Sequence, residues 1–151
     1  MILLATDGTV LLASSHDPDD PDRRWWFTPG GGVEGTESQR AAAVRELREE
    51  TGIVLPEADL VGPVATRSAL LDFAAQTLRQ EEVYFLATID RTGVELVRHD
   101  WTDQEAASLD CFAWLSRAEL DAVDVEVFPP QLPSLLQWLR DGWDGERRVL
   151  R

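Results

Sequence analysis

A chain of 151 residues, 44% hydrophobic and 28% charged, suits one ordinary folded domain and excludes a disordered polymer. Twenty-eight acidic against 14 basic residues leave a net charge of −14, which argues against a nucleic-acid polymer as partner and requires cations to screen any small anion. Cys111, the single cysteine, rules out an internal disulfide, fits a reducing cytoplasm, and is expected to be a buried, inert thiol.

Residues 2–5 and 10–13 are apolar runs separated by Thr6-Asp7-Gly8-Thr9, a hairpin signal. The first run is too short for a signal peptide, and no stretch approaches the roughly 18 apolar residues of a membrane span. Residues 14–22 are polar and proline-broken, so a surface loop with a solvated His16 is expected. Arg23 and Arg24 follow, either reaching a phosphate or facing solvent. In the strand at 25–28, Trp25 and Trp26 point to opposite faces, so at most one is core and the other is available to line a cleft.

Glycines 30–32 lead into a helix expected over 37–51, with Thr36 as cap, Gln39 at the third helical position, Glu37 in the first turn and Gly52 as left-handed stop. At about 100° per residue, Glu46, Glu49 and Glu50 share an arc of roughly 100°, while Val44 and Leu47 face the core. The i, i+4 like-charge pair Glu46–Glu50 costs an isolated helix about 0.2–0.5 kcal/mol. A hard divalent cation offsets that repulsion, and Mg²⁺ commonly joins a few carboxylates to substrate phosphate oxygens. Ala42 and Ala43 leave room for a ligand. The alternative is a solvated acidic face. No Lys-Ser or Lys-Thr follows the glycines, which excludes a P-loop, and the alternating ligands of an EF-hand are missing.

Beyond a connector at 56–59, strands are expected at 60–72 and 77–89, the second interior and packed on both faces. Arg67 and Arg79 on them face either a cleft or solvent. A turn at 90–93, a short strand at 95–97 and a loop at 98–110 follow, the loop holding His99, Asp100, Trp101, Asp103 and Glu105. A strand at 111–115 enters a helix capped by Ser116 with Glu119. A last helix from Pro130 carries Leu132, Leu135, Leu136, Trp138 and Leu139 as one stripe, Gly142 ends it, and the tail 144–151 is expected to be loose. No repeat, linker or second domain is seen, so residues 1–151 read as a single domain with a mixed sheet between helices.

The central window fits G-x5-E-x7-R-E-U-x-E-E-x-G-U, with U a bulky apolar residue, at every fixed position: Gly31, Glu37, Arg45, Glu46, Leu47, Glu49, Glu50, Gly52 and Ile53. This is the signature of the Nudix hydrolases, and Trp26-Phe27-Thr28-Pro29-Gly30-Gly31 resembles the strand and turn that lead into it. About a fifth of the chain carries the resemblance. It implies a Nudix-type α/β/α sandwich, and it makes the first strand look short, since relatives usually have several more residues before it. It also implies metal-dependent hydrolysis of a nucleoside diphosphate linked to another moiety, with water attacking phosphorus. Mg²⁺, for which Mn²⁺ can substitute, would be held by Glu49 and Glu50 with the Gly30 carbonyl. Glu46 would take the proton from water or hold a second metal indirectly.

Arg45, four residues before Glu49, is placed to orient it by an ion pair. Glu37 serves either the helix dipole or Arg45. The resemblance also implies a further carboxylate from a loop near the end of the sheet, Glu105 first, with Glu82 and Asp103 as rivals. Candidate substrate contacts are Arg23, Arg24, Trp26 and Arg67. A non-catalytic Nudix-fold nucleotide sensor is the alternative, and an isomerase of the isopentenyl diphosphate type is disfavoured because Cys111 sits in an apolar strand. Around the place of the family's substrate markers stand Ser68, Ala69, Leu70 and Leu71, neither the proline of ADP-ribose hydrolases nor the tyrosine of dinucleoside polyphosphate hydrolases. The expected partner is a small nucleotide, with no nucleic-acid polymer and no membrane, in a cytoplasmic protein that can be monomeric or a homodimer.

Overall fold

The computed structural model describes residues 1–73, 76–97 and 108–151. Among them, eight strands form one sheet: β1 (Ile2–Ala5), β2 (Val10–Asp17), β3 (Asp20–Phe27), β4 (Val61–Phe73), β5 (Gln76–Ile89), β6 (Leu109–Leu115), β7 (Glu126–Phe128) and β8 (Arg148–Leu150). The helices are α1 (Gln39–Thr51), α2 (Arg117–Ala122) and α3 (Leu132–Leu139), with a 3₁₀ turn at Glu57–Asp59.

The strand order is β7-β3-β2-β1-β5-β4-β8, with β6 also paired to β2. β1 runs parallel to β5 and antiparallel to β2, so the sheet is mixed, as expected. β6 follows β2 from Val10 to Ser15 along one edge. The other edge is divided between β1 at Val10 and β3 from Ala13 onward, and this division curls the sheet. The Asp7-Gly8 turn closes the first hairpin, Gly8 taking φ +86°.

Strand alternation separates two cores. Ile2, Leu12, Tyr84 and Leu86 pack with Leu132, Leu135 and Leu139 of α3. Their chain neighbours Leu3, Leu11 and Phe85 pack with Leu47 of α1. Helices therefore cover both faces of the sheet, and β5 is interior, between β1 and β4. Leu3, Leu11 and Leu47 are fully buried, each worth about 1.5–3 kcal/mol of transfer free energy.

Several sequence expectations need correction. The polar segment after Ala13 is strand, because β2 is paired on both edges there. Ser14, Ser15 and Asp17 are accordingly buried, and His16 Nδ1 lies 2.9 Å from Asp110 Oδ1 on β6 rather than in solvent. Residues 95–97 are not a strand: Val97 N–H donates to the Thr51 carbonyl at 3.0 Å and the segment packs under α1. The tail is not loose. β8 pairs with β4, and Arg148 stacks 4.1 Å over Trp138 while bonding Asp144. Cys111, expected to be buried, is exposed on β6. No helix among the described residues is long and apolar enough to cross a membrane.

Candidate active site

The turn after β3 and the helix α1 meet through backbone and carboxylate groups. Ser38, not Thr36, caps the helix: its hydroxyl accepts the Ala41 N–H at 3.0 Å, and the first turn holds no acidic residue. Glu37 stays in the loop, where it accepts the Glu34 N–H at 2.8 Å and bonds Arg45. Gly52 ends the helix with φ +77°, its N–H donating to the Arg48 carbonyl, as the sequence indicated.

Arg45 gathers the acidic groups. Its guanidinium reaches Glu37 at 2.7 Å, Glu49 at 2.8 Å, Glu46 at 2.9 Å and the Gly32 carbonyl at 2.8 Å. Glu37 contributes most to the raised proton affinity of Arg45, followed by Glu49 and Glu46. The expected Arg45–Glu49 pair is thus present within a wider fork that ties loop to helix.

Glu46 and Glu50 are 8% and 4% exposed, and Glu49 is half-buried. Glu50 accepts the Gly30 N–H at 3.0 Å. A Cβ on Gly31 would stand 2.6 Å from Oε2 of Glu46, so only glycine lets the turn lie against that carboxylate. The Met1 amine donates to the Pro29 carbonyl, next to the turn. Burial lowers its pKa to about 6, against the opposing pull of Glu50, Glu82 and Glu46.

Among the described residues no three acidic, histidine or cysteine groups form a ready-made cation cage. Arg45 instead stands between Glu46 and Glu49, and Glu50 turns to Gly30. The donor set nevertheless fits a hard divalent cation. Its side chains are all carboxylates, two of them buried, and a buried carboxylate cluster requires positive charge from somewhere.

The remaining candidates are spread out. Arg23 lies 3.7 Å from Asp17 and 5.7 Å over the Trp25 ring, in the half of β3 nearer the hairpin turn. Arg24 is exposed, and Trp26 packs against the α3 core. Arg79 is solvent-facing, paired with Glu81. Arg67 is buried against Glu82, whose carboxylate also accepts the Tyr84 hydroxyl. Glu105 and Asp103 lie outside the described residues. Sequence reading missed the Arg67–Glu82–Tyr84 cluster, although charged residues opposite each other on two long strands were its available signal.

The profile of the NUDIX domain family matches residues 1–139, and the chain belongs to that family. Over 60 residues it is 45% identical to the "Uncharacterized Nudix hydrolase YvcI" of Bacillus subtilis, covering 40% of this chain and 35% of that protein. Over 51 residues it is 51% identical to the CTP pyrophosphohydrolase of Escherichia coli, covering 34% and 37%. The matched stretches thus span about a third of each relative's length. The crystal structure of a MutT NUDIX hydrolase from Burkholderia pseudomallei superposes with TM-score 0.60 at 22% identity, over 90% of this chain and 94% of the other, and shows the same fold.

Proposed function

We propose that the chain, acting as a single domain, is a nucleotide pyrophosphohydrolase. It would cleave the phosphoric anhydride of a nucleoside diphosphate linked to another moiety, with Mg²⁺, or Mn²⁺ in its place, at Glu46, Glu49, Glu50 and the Gly30 carbonyl. The observation that carries this reading is the contact of the glycine turn with two buried carboxylates, Glu46 behind Gly31 and Glu50 on the Gly30 N–H. The likeness to a CTP pyrophosphohydrolase over about a third of the chain supports it.

When bound, such a cation neutralises charge on the diphosphate and lowers the pKa of water. Glu46 accepts the proton of the attacking water, from a side chain held in place by Arg45 and by the missing Cβ of Gly31. Arg45 positions Glu46 and Glu49 together and fixes the loop through Glu37 and Gly32. Glu50 is aimed by the Gly30 N–H. Glu105 is the first candidate for a supporting loop carboxylate, with Asp103 and Glu82, the latter bound to Arg67 and Tyr84, as rivals. The net charge of −14 suits a small cytoplasmic nucleotide delivered with its cation rather than a nucleic-acid polymer.

The test is phosphate release from a panel of nucleoside triphosphates, oxidised triphosphates, sugar nucleotides and dinucleoside polyphosphates with Mg²⁺, repeated in excess EDTA. Hydrolysis of at least one class, lost in EDTA, is expected. Tight nucleotide binding with no hydrolysis would instead support a sensor, and turnover undiminished by EDTA would remove the metal from the proposal.

A further inference from the structure

Beyond the body of the sheet, β4 and β5 continue as a two-stranded arm. β8 pairs with β4 only from Ala65 to Arg67, and β1 pairs with β5 only from Leu86 to Ile89. Over Ser68 to Phe73 and the facing Gln76 to Glu81, each strand therefore has the other as its one strand partner among the described residues. A ribbon of two strands is marginal in water, and a further strand is one way to stabilise it.

The edge of β5 that faces away from β4 offers the place for that strand. From Gln76 to Phe85 no other strand pairs with it among the described residues. Its sequence, QTLRQEEVYF, has no proline or glycine, and its register with β4 is unbroken from Gln76 to Tyr84. Such an edge is a template for another chain.

Charge decides which chain suits it. Two copies at −14 each repel at a distance, but exposed charges are screened beyond about 8 Å at physiological salt, so attraction has to come from the edge itself. When two antiparallel strands are related by a two-fold axis, residues equally spaced on either side of the axis face each other. An axis at Arg79, Glu81 or Glu82 sets that residue against its own copy, like against like. An axis at Gln80 instead sets Arg79 opposite Glu81 of the second copy, and Glu81 opposite its Arg79. No other axis along the edge brings opposite charges together. Both side chains are exposed on the same face of β5, 3.3 Å apart, and so are available to a neighbour. In this register Gln76 of the second copy lies opposite Tyr84, short of Ile2 opposite Leu86, so the added strand continues along the edge where β1 stops.

We infer that the free edge of β5 is an interaction surface for a second copy of this chain, the two β5 strands pairing antiparallel about Gln80 with reciprocal Arg79–Glu81 ion pairs. The arms then form one four-stranded ribbon, β4-β5-β5-β4, through an interface that is the same patch on both copies.

Sedimentation velocity across a dilution series tests this, and the parent should show a concentration-dependent dimer. Arg79→Glu places Glu opposite Glu at both contacts, and Glu81→Arg places Arg opposite Arg. Each should raise the dimer Kd about tenfold or more, since two attractive cross-strand pairs become repulsive. An equal mixture of the two variants restores both opposite-charge contacts and should dimerise like the parent. Circular dichroism checks that the fold survives at these exposed positions. If a single variant does not fold, the chain carrying both Arg79→Glu and Glu81→Arg should dimerise with itself and not with the parent. A parent that stays monomeric, single variants that dimerise as tightly as the parent, a mixture no tighter than its components, or a doubly exchanged chain that pairs equally well with the parent would each overturn the inference.

Discussion

Gly31 and Glu46 fit together through a missing atom: the buried Glu46 carboxylate occupies space that a Cβ on residue 31 would enter, coming within 2.6 Å of Oε2. Two of the fixed positions in the sequence signature are therefore coupled sterically, although 15 residues separate them.

Gly31→Ala should displace the Glu46 carboxylate rather than unfold the chain, because the clash is with the end of a side chain. Overpacking of this kind costs about 1–3 kcal/mol. Displacing a reacting group by about 1 Å can cost about 10²-fold in rate. The expected result is a small fall in Tm with a loss of turnover of about 10²-fold or more. A variant with parental kcat/KM would show that the position of Glu46 is not critical.

Glu46→Gln tests the proton acceptor more directly. Fold and the Arg45 fork should persist, since the amide oxygen can still accept from Arg45, and turnover should fall by about 10²–10⁴-fold. Circular dichroism and steady-state kinetics on the same preparation check both halves. Near-normal turnover would move the base to a loop carboxylate, with Glu105 the first to examine.

Glu37 predicts a pH dependence of stability. The Arg45 guanidinium, then the Glu34 N–H, hold its carboxyl below the ordinary 4.5. A depressed folded value means the unfolded chain binds the proton more tightly, so this contribution is fully present above the unfolded value and is lost as pH falls through the folded one. The stability gap between the parent and Glu37→Gln should be constant near neutrality and should narrow below about pH 4.5. Urea unfolding of both proteins across that range measures it, and a gap that stays constant into acid would assign the effect of the substitution to packing.

The carboxylate face was legible because helical period alone places Glu46, Glu49 and Glu50 together, and Gly52 marked the end of the helix unambiguously. Its start was not. Thr36 and Ser38 both offer a capping hydroxyl, and Glu37 had two partners open to it, the helix dipole and Arg45; its bond to Arg45 leaves it in the loop and the cap with Ser38. The long β4–β5 pair was readable from its length, whereas β7 and β8 are three residues each and exist through pairing with β3 and β4. His16 read as a loop residue because its partner Asp110 is 94 positions away, across the β2–β6 ladder.

Glu50→Gln separates a metal-binding role from a structural one. Glu50 is 4% exposed, accepts the Gly30 N–H at 3.0 Å and lies one turn from Glu46. Glutamine keeps an oxygen for that N–H and removes one charge from the like-charged pair. In EDTA the variant should therefore be at least as stable as the parent, by a few tenths of a kcal/mol on the scale of such helix pairs. With Mg²⁺ the order should reverse. A cation that binds only the folded state stabilises by RT ln(1 + [L]/Kd), about 2.7 kcal/mol at a hundredfold excess over Kd, and a variant lacking one ligand gains less at every concentration. Thermal unfolding of both proteins in EDTA and through a Mg²⁺ series reads this directly. A Glu50→Gln protein clearly less stable in EDTA, yet with the parent's full response to Mg²⁺, would make Glu50 an anchor for the Gly30 turn and put the cation elsewhere.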